Sequence, residues 1–225
     1  MSTSPTLVLM TKRPKLHQGK QRLASDIGAN SALLIARSLL CCALEDAANW
    51  SGEVVVAIAH KTDVAWATRL LKHTLPDAQV IYQGEGNLGK RINQVDSELR
   101  RAGHHGLVFI GTDSPMLNAN FYQNLPAKLT MSEVLLAKAE DGGVVMMASN
   151  EPWPDLSHLP WSSENLASTL AQCCLNENLS VIYHDSNYDI DQLADLTRLK
   201  YDLLADERPA RKTLLAQVFS CLQPL

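Results

Sequence analysis

The chain has 225 residues, of which 46% are hydrophobic and 20% are charged. This length and composition are typical of a globular protein with one substantial core, and we expect residues 1–225 to form a single domain. A formal charge of −4 and a pI near 6.0 exclude a broad basic surface for binding nucleic acid. Any recognition of phosphate must therefore be local, which favours a small ligand.

The first ten residues lack the pattern of a signal peptide, and no later apolar run reaches the ~18 residues expected of a membrane span. We therefore expect a cytoplasmic protein without a membrane span. The five cysteines form two adjacent pairs, Cys41 with Cys42 and Cys173 with Cys174, and one single residue, Cys221. Their odd number and the lack of zinc-type spacing predict reduced thiols that pack inside helical segments.

Short apolar segments rich in β-branched residues alternate with helical patterns along the chain. Nearly all positions of the strand segments are apolar, which is typical of a mostly parallel sheet covered by helices on both faces. Ligands bind such sheets outside the carboxyl ends of the strands. The predicted strands are residues 6–10, 53–59, 79–83, 106–110, 133–138, 144–149 and 180–184. The predicted helices are residues 29–48, 63–73, 88–102, 118–128, 163–177 and 209–222.

The loop after the first predicted strand, residues 11–23, contains five cations and no acid. Lysine provides a point charge and arginine a bidentate fork, and both suit the oxygens of a diphosphate or triphosphate. We expect the side chains of Lys20 and Arg22 to be exposed and to contribute little to folding. The alternative is a solvated, mobile loop. The five cations are Lys12, Arg13, Lys15, Lys20 and Arg22.

A glycine-rich segment, residues 83–91, follows the third predicted strand. Its glycines allow the backbone to approach a ligand closely, and the helix that begins here offers free N–H groups to an anion. On its own, the pattern is equally typical of a simple turn between a strand and a helix.

Acidic residues follow the fourth and the last predicted strands. Asp113 comes directly after the fourth, and Asp189 and Asp191 lie two residues apart after the last. A carboxylate at a strand's carboxyl end can hold a hard cation that bridges phosphate oxygens, and one of the two later acids can complete such a site. The alternative for each acid is a turn or a helix cap.

The turn between the fifth and sixth predicted strands, residues 139–143, carries two acids before two glycines. The acids can orient an acceptor or remove a proton from it. Asp-Gly is also the strongest short signal for a hairpin turn, and that interpretation is favoured when the segment is considered alone.

Six segments, taken in order, match one known family. Residues 20–23 resemble a Lys-x-Arg-Leu signature, and residues 111–115 resemble a Gly-Ser-Asp-Ser-Pro loop. The other matching segments are residues 83–91, 140–143, 160–162 and 189–196. Together they resemble the small bacterial GT-A-fold glycosyltransferase-like proteins, some of which are described as arsenosugar biosynthesis glycosyltransferases. The resemblance extends over residues 7–196.

This resemblance implies an α/β protein, a three-layer α/β/α sandwich with a mostly parallel sheet, of the Rossmann-like nucleotide-diphospho-sugar transferase (GT-A) type. It implies that Mg²⁺ or Mn²⁺ is held by Asp113 and Asp191. The nucleotide would be bound by Lys12, Lys20, Arg22, Gly89 and Arg91. The acceptor side would be formed by Glu140, Gly142, Gly143 and Trp161, with Asp141 as the catalytic base.

The leading functional hypothesis is a metal-dependent glycosyltransferase that uses a nucleotide-diphospho-sugar donor and a small acceptor. A nucleotidyltransferase similar to phospholactate guanylyltransferases, which would bind a nucleoside triphosphate and release pyrophosphate, is the first alternative. The second alternative is a non-catalytic nucleotide-binding protein. It arises because the family usually has aromatic residues after the double glycine, where this chain has Val144 and Val145. The first loop also departs from the family, since residues 16–19 replace the usual Pro-Gly.

Overall fold

In the computed structural model, which describes residues 4–222, the chain forms a seven-stranded sheet flanked by helices. The strands are β1 (Thr6–Thr11), β2 (Val54–Ile58), β3 (Gln79–Tyr82), β4 (Leu107–Ile110), β5 (Val134–Ala139), β6 (Val144–Ser149) and β7 (Val181–Asn187). All seven predicted strands are present, and their ends differ from the prediction by three residues at most.

The helices are α1 (Gln21–Ile27), α2 (Ala29–Ala48), α3 (Val64–Leu71), α4 (Leu88–Arg101), α5 (Ala119–Gln123), α6 (Leu125–Leu129), α7 (Leu166–Asn176), α8 (Leu193–Asp202) and α9 (Pro209–Leu222). One predicted helix, residues 118–128, is divided into α5 and α6. Pro126 lies in the first turn of α6, and a proline at that place starts a helix more readily than it continues one.

The sheet has the strand order β3-β2-β1-β4-β6-β5-β7, in which only β6 runs antiparallel to its neighbours. Strands β5 and β7 are parallel to each other and to β4, because two antiparallel pairings separate β5 from β4. The carboxyl ends of six strands therefore lie at one edge of the sheet. All the candidate loops predicted from the sequence leave the sheet at this edge.

The strands are apolar at nearly every position because both faces of the sheet are covered. Leu7 and Leu9 of β1 pack on one face with α2, α3, α5 and α6. Val8, between them, packs on the other face with α4, α7 and the segment 153–156. The predicted three-layer α/β/α fold with a mostly parallel sheet is thus confirmed.

A third apolar cluster lies beside the sheet and joins α1, α2, α8 and α9. It contains Leu23, Leu196, Leu214 and Val218, each of which is fully buried. This cluster fixes the last two helices next to the loop that follows β1. Within residues 4–222, no helix is both long and apolar enough to cross a membrane.

All five cysteines are free thiols, but they are not all packed in the core. Cys42 and Cys174 are buried, whereas Cys41 is exposed and Cys173 and Cys221 are partly exposed. Adjacent residues on a helix point about 100° apart, so only one member of each pair can face the core. The sequence prediction of packed thiols was therefore wrong for Cys41.

Candidate active site

The loops after β1, β4 and β7 meet at the carboxyl edge of the sheet. The side chain of Lys20, from the loop after β1, reaches Asp113 in the loop after β4, with Nζ 2.9 Å from Oδ1. The same ammonium group donates to the carbonyl oxygen of Ile190, which follows β7. The amide of Ile190 in turn donates to the carbonyl oxygen of Asp113, at 2.9 Å. Three chain segments are therefore fixed to one another around the Lys20 ammonium group.

A second ion pair lies beside the first. Arg22 Nη1 is 3.0 Å from Oδ2 of Asp191, and both side chains are substantially exposed. Lys20 is different, since only 10% of its side chain is exposed. The expectation that Lys20 and Arg22 are both exposed was therefore wrong for Lys20. The structure thus brings Lys20 and Arg22 of the Lys-x-Arg-Leu signature into contact with the two predicted metal ligands, Asp113 and Asp191.

Asp189 is the third carboxylate at this edge. Burial raises its pKa above the usual value, and the negative charges of Asp141 and Asp113 raise it further, while Lys20 opposes the change. The charges of Lys20, Asp141 and Asp113 therefore all act on the half-buried Asp189 side chain. This site therefore has an excess of negative charge that Lys20 only partly balances.

Two other cations of the first loop bind an acid that the sequence analysis did not single out. Asp63, in a short 3₁₀-helix (Lys61–Asp63) before α3, is buried. It lies 3.0 Å from Lys15 Nζ and 3.4 Å from Arg13 Nη1. Arg13 also stacks over Trp66. Burial alone would raise the pKa of Asp63, but the hydrogen bonds and charges of Lys15 and Arg13 outweigh it and hold this pKa below its usual value.

A buried glutamine links the ends of β1, β2 and β3. Gln83 is buried, and its amide group donates to the carbonyl oxygens of Thr11 and Ala57. The hydroxyl group of Thr11 is buried and has no hydrogen-bond partner among the described residues. An unpaired buried hydroxyl is unfavourable unless a ligand or water satisfies it. Lys12 is exposed and, within residues 4–222, forms no ion pair.

The glycine-rich segment has a packing role that the sequence analysis did not predict. A side chain at Gly89 would meet the carbonyl oxygen of Leu156 at 2.0 Å and Nε1 of Trp161 at 2.6 Å. Both belong to residues 150–165, a long connection between β6 and α7 that we call the strap. Gly89 thus allows close contact between α4 and the strap. Arg91 is directed back to this segment, where Nε donates to the carbonyl oxygen of Gly86 at 2.9 Å.

The turn after β5 is a hairpin turn that packs against the same strap. Gly142 has φ +90°, and a side chain there would meet the carbonyl oxygen of Glu164 at 1.8 Å. Asp141 accepts a hydrogen bond from the amide of Gly143 at 2.9 Å through Oδ1. Glu140 instead turns to α8, where it forms a bidentate pair with Arg198. The pKa of Glu140 is lowered, mainly by the hydrogen bonds from Arg198.

Trp161, the predicted aromatic residue of the acceptor side, is half-buried. Its indole nitrogen donates to the carbonyl oxygen of Leu156, at 3.0 Å. This contact places the ring against Gly89 at the start of α4, as part of the packing within the strap.

The donor atoms at the carboxyl edge suit a hard cation. Asp113, Asp189 and Asp191 supply carboxylate oxygens and Ile190 a carbonyl oxygen, and these are the ligands that Mg²⁺ and Mn²⁺ prefer. In this structure the Lys20 ammonium group already lies between Asp113 and the Ile190 carbonyl. Within the described part of the chain, no three Asp, Glu, His or Cys side chains converge closely enough to hold a metal ion. The residues therefore fit a cation that takes one or two carboxylates and completes its shell with phosphate oxygens and water.

A family of sequences described as uncharacterized proteins conserved in bacteria (DUF2064) matches residues 43–163. This span is more than half of the 225-residue chain. The chain belongs to this family. The matched span includes Asp113, Asp141 and Trp161, but neither the loop after β1 nor the acids after β7. No curated protein matches the chain.

Solved structures show the fold of this family member. A candidate nucleotide-diphospho-sugar transferase from Desulfovibrio desulfuricans G20 is 16% identical, with a TM-score of 0.85 over 98% of this chain and 99% of that chain. A cytidylyltransferase from Leptospira borgpetersenii serovar Hardjo-bovis is 14% identical, with a TM-score of 0.56 over 98% of both chains.

CMP:2-keto-3-deoxy-manno-octonic acid synthetase complexed with CTP is also 14% identical, with a TM-score of 0.52 over 91% of this chain and 100% of that chain. These likenesses establish the Rossmann-like fold of nucleotide-diphospho-sugar and nucleotidyl transferases, in agreement with the sequence resemblance. At such identities they show the fold alone, so the roles of the site residues remain predictions.

Proposed function

We propose that residues 1–225 form one transferase domain that binds a nucleotide through its phosphates, together with Mg²⁺ or Mn²⁺, and transfers a sugar from a nucleotide-diphospho-sugar to a small acceptor. The observation that carries this proposal is the network of Lys20, Asp113, Ile190, Arg22 and Asp191 at the carboxyl edge of the sheet. It combines cations for phosphate oxygens with carboxylates for a divalent cation, where open α/β sheets bind ligands.

In the proposed complex, Lys20 and Arg22 turn from their carboxylate partners to the phosphates of the donor. Arg22 is largely exposed and free to turn, whereas Lys20 must leave a mostly buried position. Lys12, which is exposed in the same loop, is proposed to add a third positive charge. Asp113 and Asp191, released from Lys20 and Arg22, hold the cation. When bound, the cation would neutralise the phosphate oxygens and so favour departure of the nucleoside diphosphate.

The proposed reaction uses Asp141 as the base. Its Oδ1 accepts the Gly143 amide, which leaves Oδ2 to take the proton of an acceptor hydroxyl. The acceptor oxygen then forms a bond to the anomeric carbon of the sugar, and the bond from that carbon to the phosphate oxygen breaks. The electron pair remains on the diphosphate, whose growing negative charge Lys20 and Arg22 stabilise.

The acceptor is proposed to lie beside the β5–β6 turn, on the side that carries Asp141. Glu140, Gly142 and Gly143 belong to this turn, and we propose that they form the acceptor side together with Trp161 of the strap. Val144 and Val145 offer no ring that could stack on a sugar. We therefore propose a small acceptor held by polar contacts.

Nucleotidyl transfer is the second candidate, and the charge of the first loop favours it. This loop contains five cations, and a triphosphate carries more negative charge than a diphosphate. Two of the cations, Arg13 and Lys15, are held by Asp63 close to the end of β1. In this alternative, the acceptor attacks the α-phosphorus and pyrophosphate leaves with its electron pair.

The products distinguish the candidates. The protein is incubated with nucleotide-diphospho-sugars and with nucleoside triphosphates, with Mg²⁺ or Mn²⁺ and a set of small acceptors, and the mixture is analysed by mass spectrometry. Release of a nucleoside diphosphate supports glycosyl transfer, and release of pyrophosphate supports nucleotidyl transfer. Binding without either product would show a non-catalytic nucleotide-binding protein, and a lack of nucleotide binding would contradict the whole proposal.

A further inference from the structure

Arg211, on α9, is the largest fully buried side chain outside the proposed site. Its guanidinium group lies 2.9 Å from a carboxylate oxygen of Glu45 and 2.7 Å from one of Asp46, both on α2. It also donates to the carbonyl oxygen of Cys42, at 2.6 Å. A buried cation is unfavourable unless it is paired, and these contacts satisfy that requirement.

The remaining hydrogen bonds of this group reach the chain just after Asp113. Arg211 Nε donates to the carbonyl oxygen of Pro115 at 3.0 Å, and Nη2 lies 3.4 Å from that of Leu117. Arg208 Nη1 donates to the same Leu117 oxygen at 2.8 Å and to Asp46 at 3.1 Å. The two arginines therefore link residues 115–117 to the long helix α2.

Stability alone does not account for this arrangement. The neighbouring positions of α9, Leu214 and Val218, are fully buried in the apolar cluster with α2. Apolar side chains of similar volume often stabilise an interface as well as a buried ion pair does. An apolar side chain at Arg211, however, would leave the Pro115 carbonyl without its side-chain donor and the Leu117 carbonyl with Arg208 alone.

The loop that carries Asp113 is thus held from both sides. On one side the amide of Ile190 donates to the Asp113 carbonyl, and on the other Arg211 and Arg208 hold residues 115–117. Met116, between the two held carbonyls, packs against the apolar cluster of α9. The Asp113 side chain itself is about half exposed and touches neither arginine.

We propose that Arg211, assisted by Arg208, is a positioning residue: it fixes the backbone of residues 115–117 on α2 and thereby holds the Asp113 carboxylate in the orientation that a divalent cation and phosphate require. The effect on ligand binding rests on the function proposed above, whereas the effect on the loop does not. Groups that orient a metal-binding side chain by direct hydrogen bonds typically change metal affinity by about 10- to 100-fold, and since Arg211 acts through the backbone we expect the lower end of this range.

Three variants test this inference. Arg211→Lys keeps the charge but loses the guanidinium fork that spans α2 and the loop. Arg208→Gln removes the contact to Leu117 from a partly exposed position, and it serves if Arg211→Lys does not fold. Leu214→Ala is the matched control, since it destabilises the same helix by creating a cavity but contacts no loop carbonyl.

Two measurements are made on each variant. Hydrogen exchange of peptides that cover residues 111–118 is followed by mass spectrometry, with denaturant adjusted so that all proteins have equal unfolding free energies. Binding of the preformed Mn²⁺–pyrophosphate complex to each protein is followed by isothermal titration calorimetry. We expect faster exchange in this segment and affinity at least about tenfold weaker in both arginine variants, but not in Leu214→Ala.

Exchange of residues 111–118 that is no faster in the arginine variants than in Leu214→Ala would overturn the inference. So would an unchanged Mn²⁺ affinity in variants of a wild type that binds the ion. If exchange increases as expected but the wild type binds no Mn²⁺ with pyrophosphate, the positioning of the loop is supported and the proposed function fails.

Discussion

At the scale of single residues, two ion pairs form the centre of the candidate site. Lys20 pairs with Asp113, and Arg22 with Asp191. The two cations differ in burial, since 10% of the Lys20 side chain is exposed compared with 71% for Arg22. The same substitution should therefore have different effects on stability at the two positions.

We predict that Lys20→Ala lowers the free energy of unfolding by about 1–2 kcal/mol, because the Asp113 and Ile190 oxygens lose their common donor. Arg22→Ala should change it by less than about 0.5 kcal/mol, as is usual for an exposed ion pair. Chemical denaturation measures both. Lys20→Met is the control that keeps the aliphatic stem, and it should lose as much stability as the alanine variant if the polar contacts are responsible. Equal stability of the Lys20→Ala and Arg22→Ala proteins would contradict this prediction.

The second prediction concerns Asp113 and Asp191 as parts of one ligand site. A nucleotide with Mg²⁺ or Mn²⁺ should raise the melting temperature of the wild type, since a ligand at a hundredfold excess over its Kd adds about 2.7 kcal/mol. Asp113→Asn and Asp191→Asn should each abolish most of this shift. The double variant should lose no more than either single one, because members of one network are not additive.

The matched control for these variants is Asp77→Asn, at an exposed acid before β3, which should keep the full shift. Chelator should cancel the shift of the wild type. A cognate nucleotide that stabilises the protein equally well in chelator, or losses that simply add in the double variant, would exclude a shared cation site.

The sequence predicted part of this site, but not its partners. Asp113, Asp191, Lys20 and Arg22 stand in motifs that follow strands, and the carboxyl ends of these strands all lie at one edge of the sheet. Asp63 had no such signal beyond being an acid near the end of the second strand. Its role depends on the loop after β1 folding back towards α3, and this is a property of tertiary packing.

At the scale of elements, the strap determines how closely α4 and the β5–β6 turn can approach. Both contacts occur at glycines, Gly89 and Gly142, where a side chain would overlap a strap carbonyl group. From the sequence, we expected the glycines of residues 83–91 to let the backbone approach a ligand. The glycine at position 89 is required by packing between elements, which periodicity cannot reveal.

We predict that Gly89→Ala destabilises the protein by about 1–3 kcal/mol, the usual cost of overpacking. In a helix this substitution normally stabilises by up to about 1 kcal/mol, so the sign itself reports the contact with Leu156. The matched control is Gly111→Ala, because a side chain there meets nothing within 4 Å and its φ is not positive. Denaturant midpoints compare the two. A Gly89→Ala protein as stable as the wild type would show that the strap is not packed against α4.

The elements themselves were largely predictable, and their spatial arrangement was not. Apolar runs predicted all seven strands, but the division of the helix at Pro126 and the presence of α1 were missed. Strand β7 lies three places from β4 in the sheet, yet Ile190 after β7 bonds to Asp113 after β4. The chain must therefore cross back over the sheet edge, and no local pattern encodes that path.

At the scale of the whole molecule, the five cysteines differ in how deeply they are buried. Cys41 and Cys42 are adjacent on α2, but one is exposed and the other buried. Burial raises the pKa of the Cys42 thiol to about 12, although the Arg211 charge opposes this, and burial also raises that of Cys174 to about 12. Both buried thiols are thus protected from alkylation, because reagents cannot reach them and because they stay protonated.

We predict that an alkylating reagent modifies Cys41 first, and that Cys42 and Cys174 react only through opening of the fold. Peptide mass spectrometry over time measures the five rates. Denaturant below the unfolding midpoint should accelerate modification of Cys42 and Cys174 strongly and that of Cys41 little. Cys41→Ser should remove only the fast phase. Modification of Cys42 or Cys174 as rapidly as Cys41 would mean that the core around α2 or α7 is loosely packed.

The paired charges at the carboxyl edge have a consequence for how a ligand is selected. Lys20 pairs with Asp113 and Arg22 with Asp191, so the two predicted metal ligands and the two predicted phosphate-binding cations already have partners of opposite charge. A divalent cation alone must displace two cationic side chains that then lack anionic partners, and a phosphate alone leaves two carboxylates unbalanced. Only a cation and a phosphate arriving together replace every partner. We therefore predict that the proposed site binds metal and nucleotide with positive cooperativity and has weak affinity for either one alone.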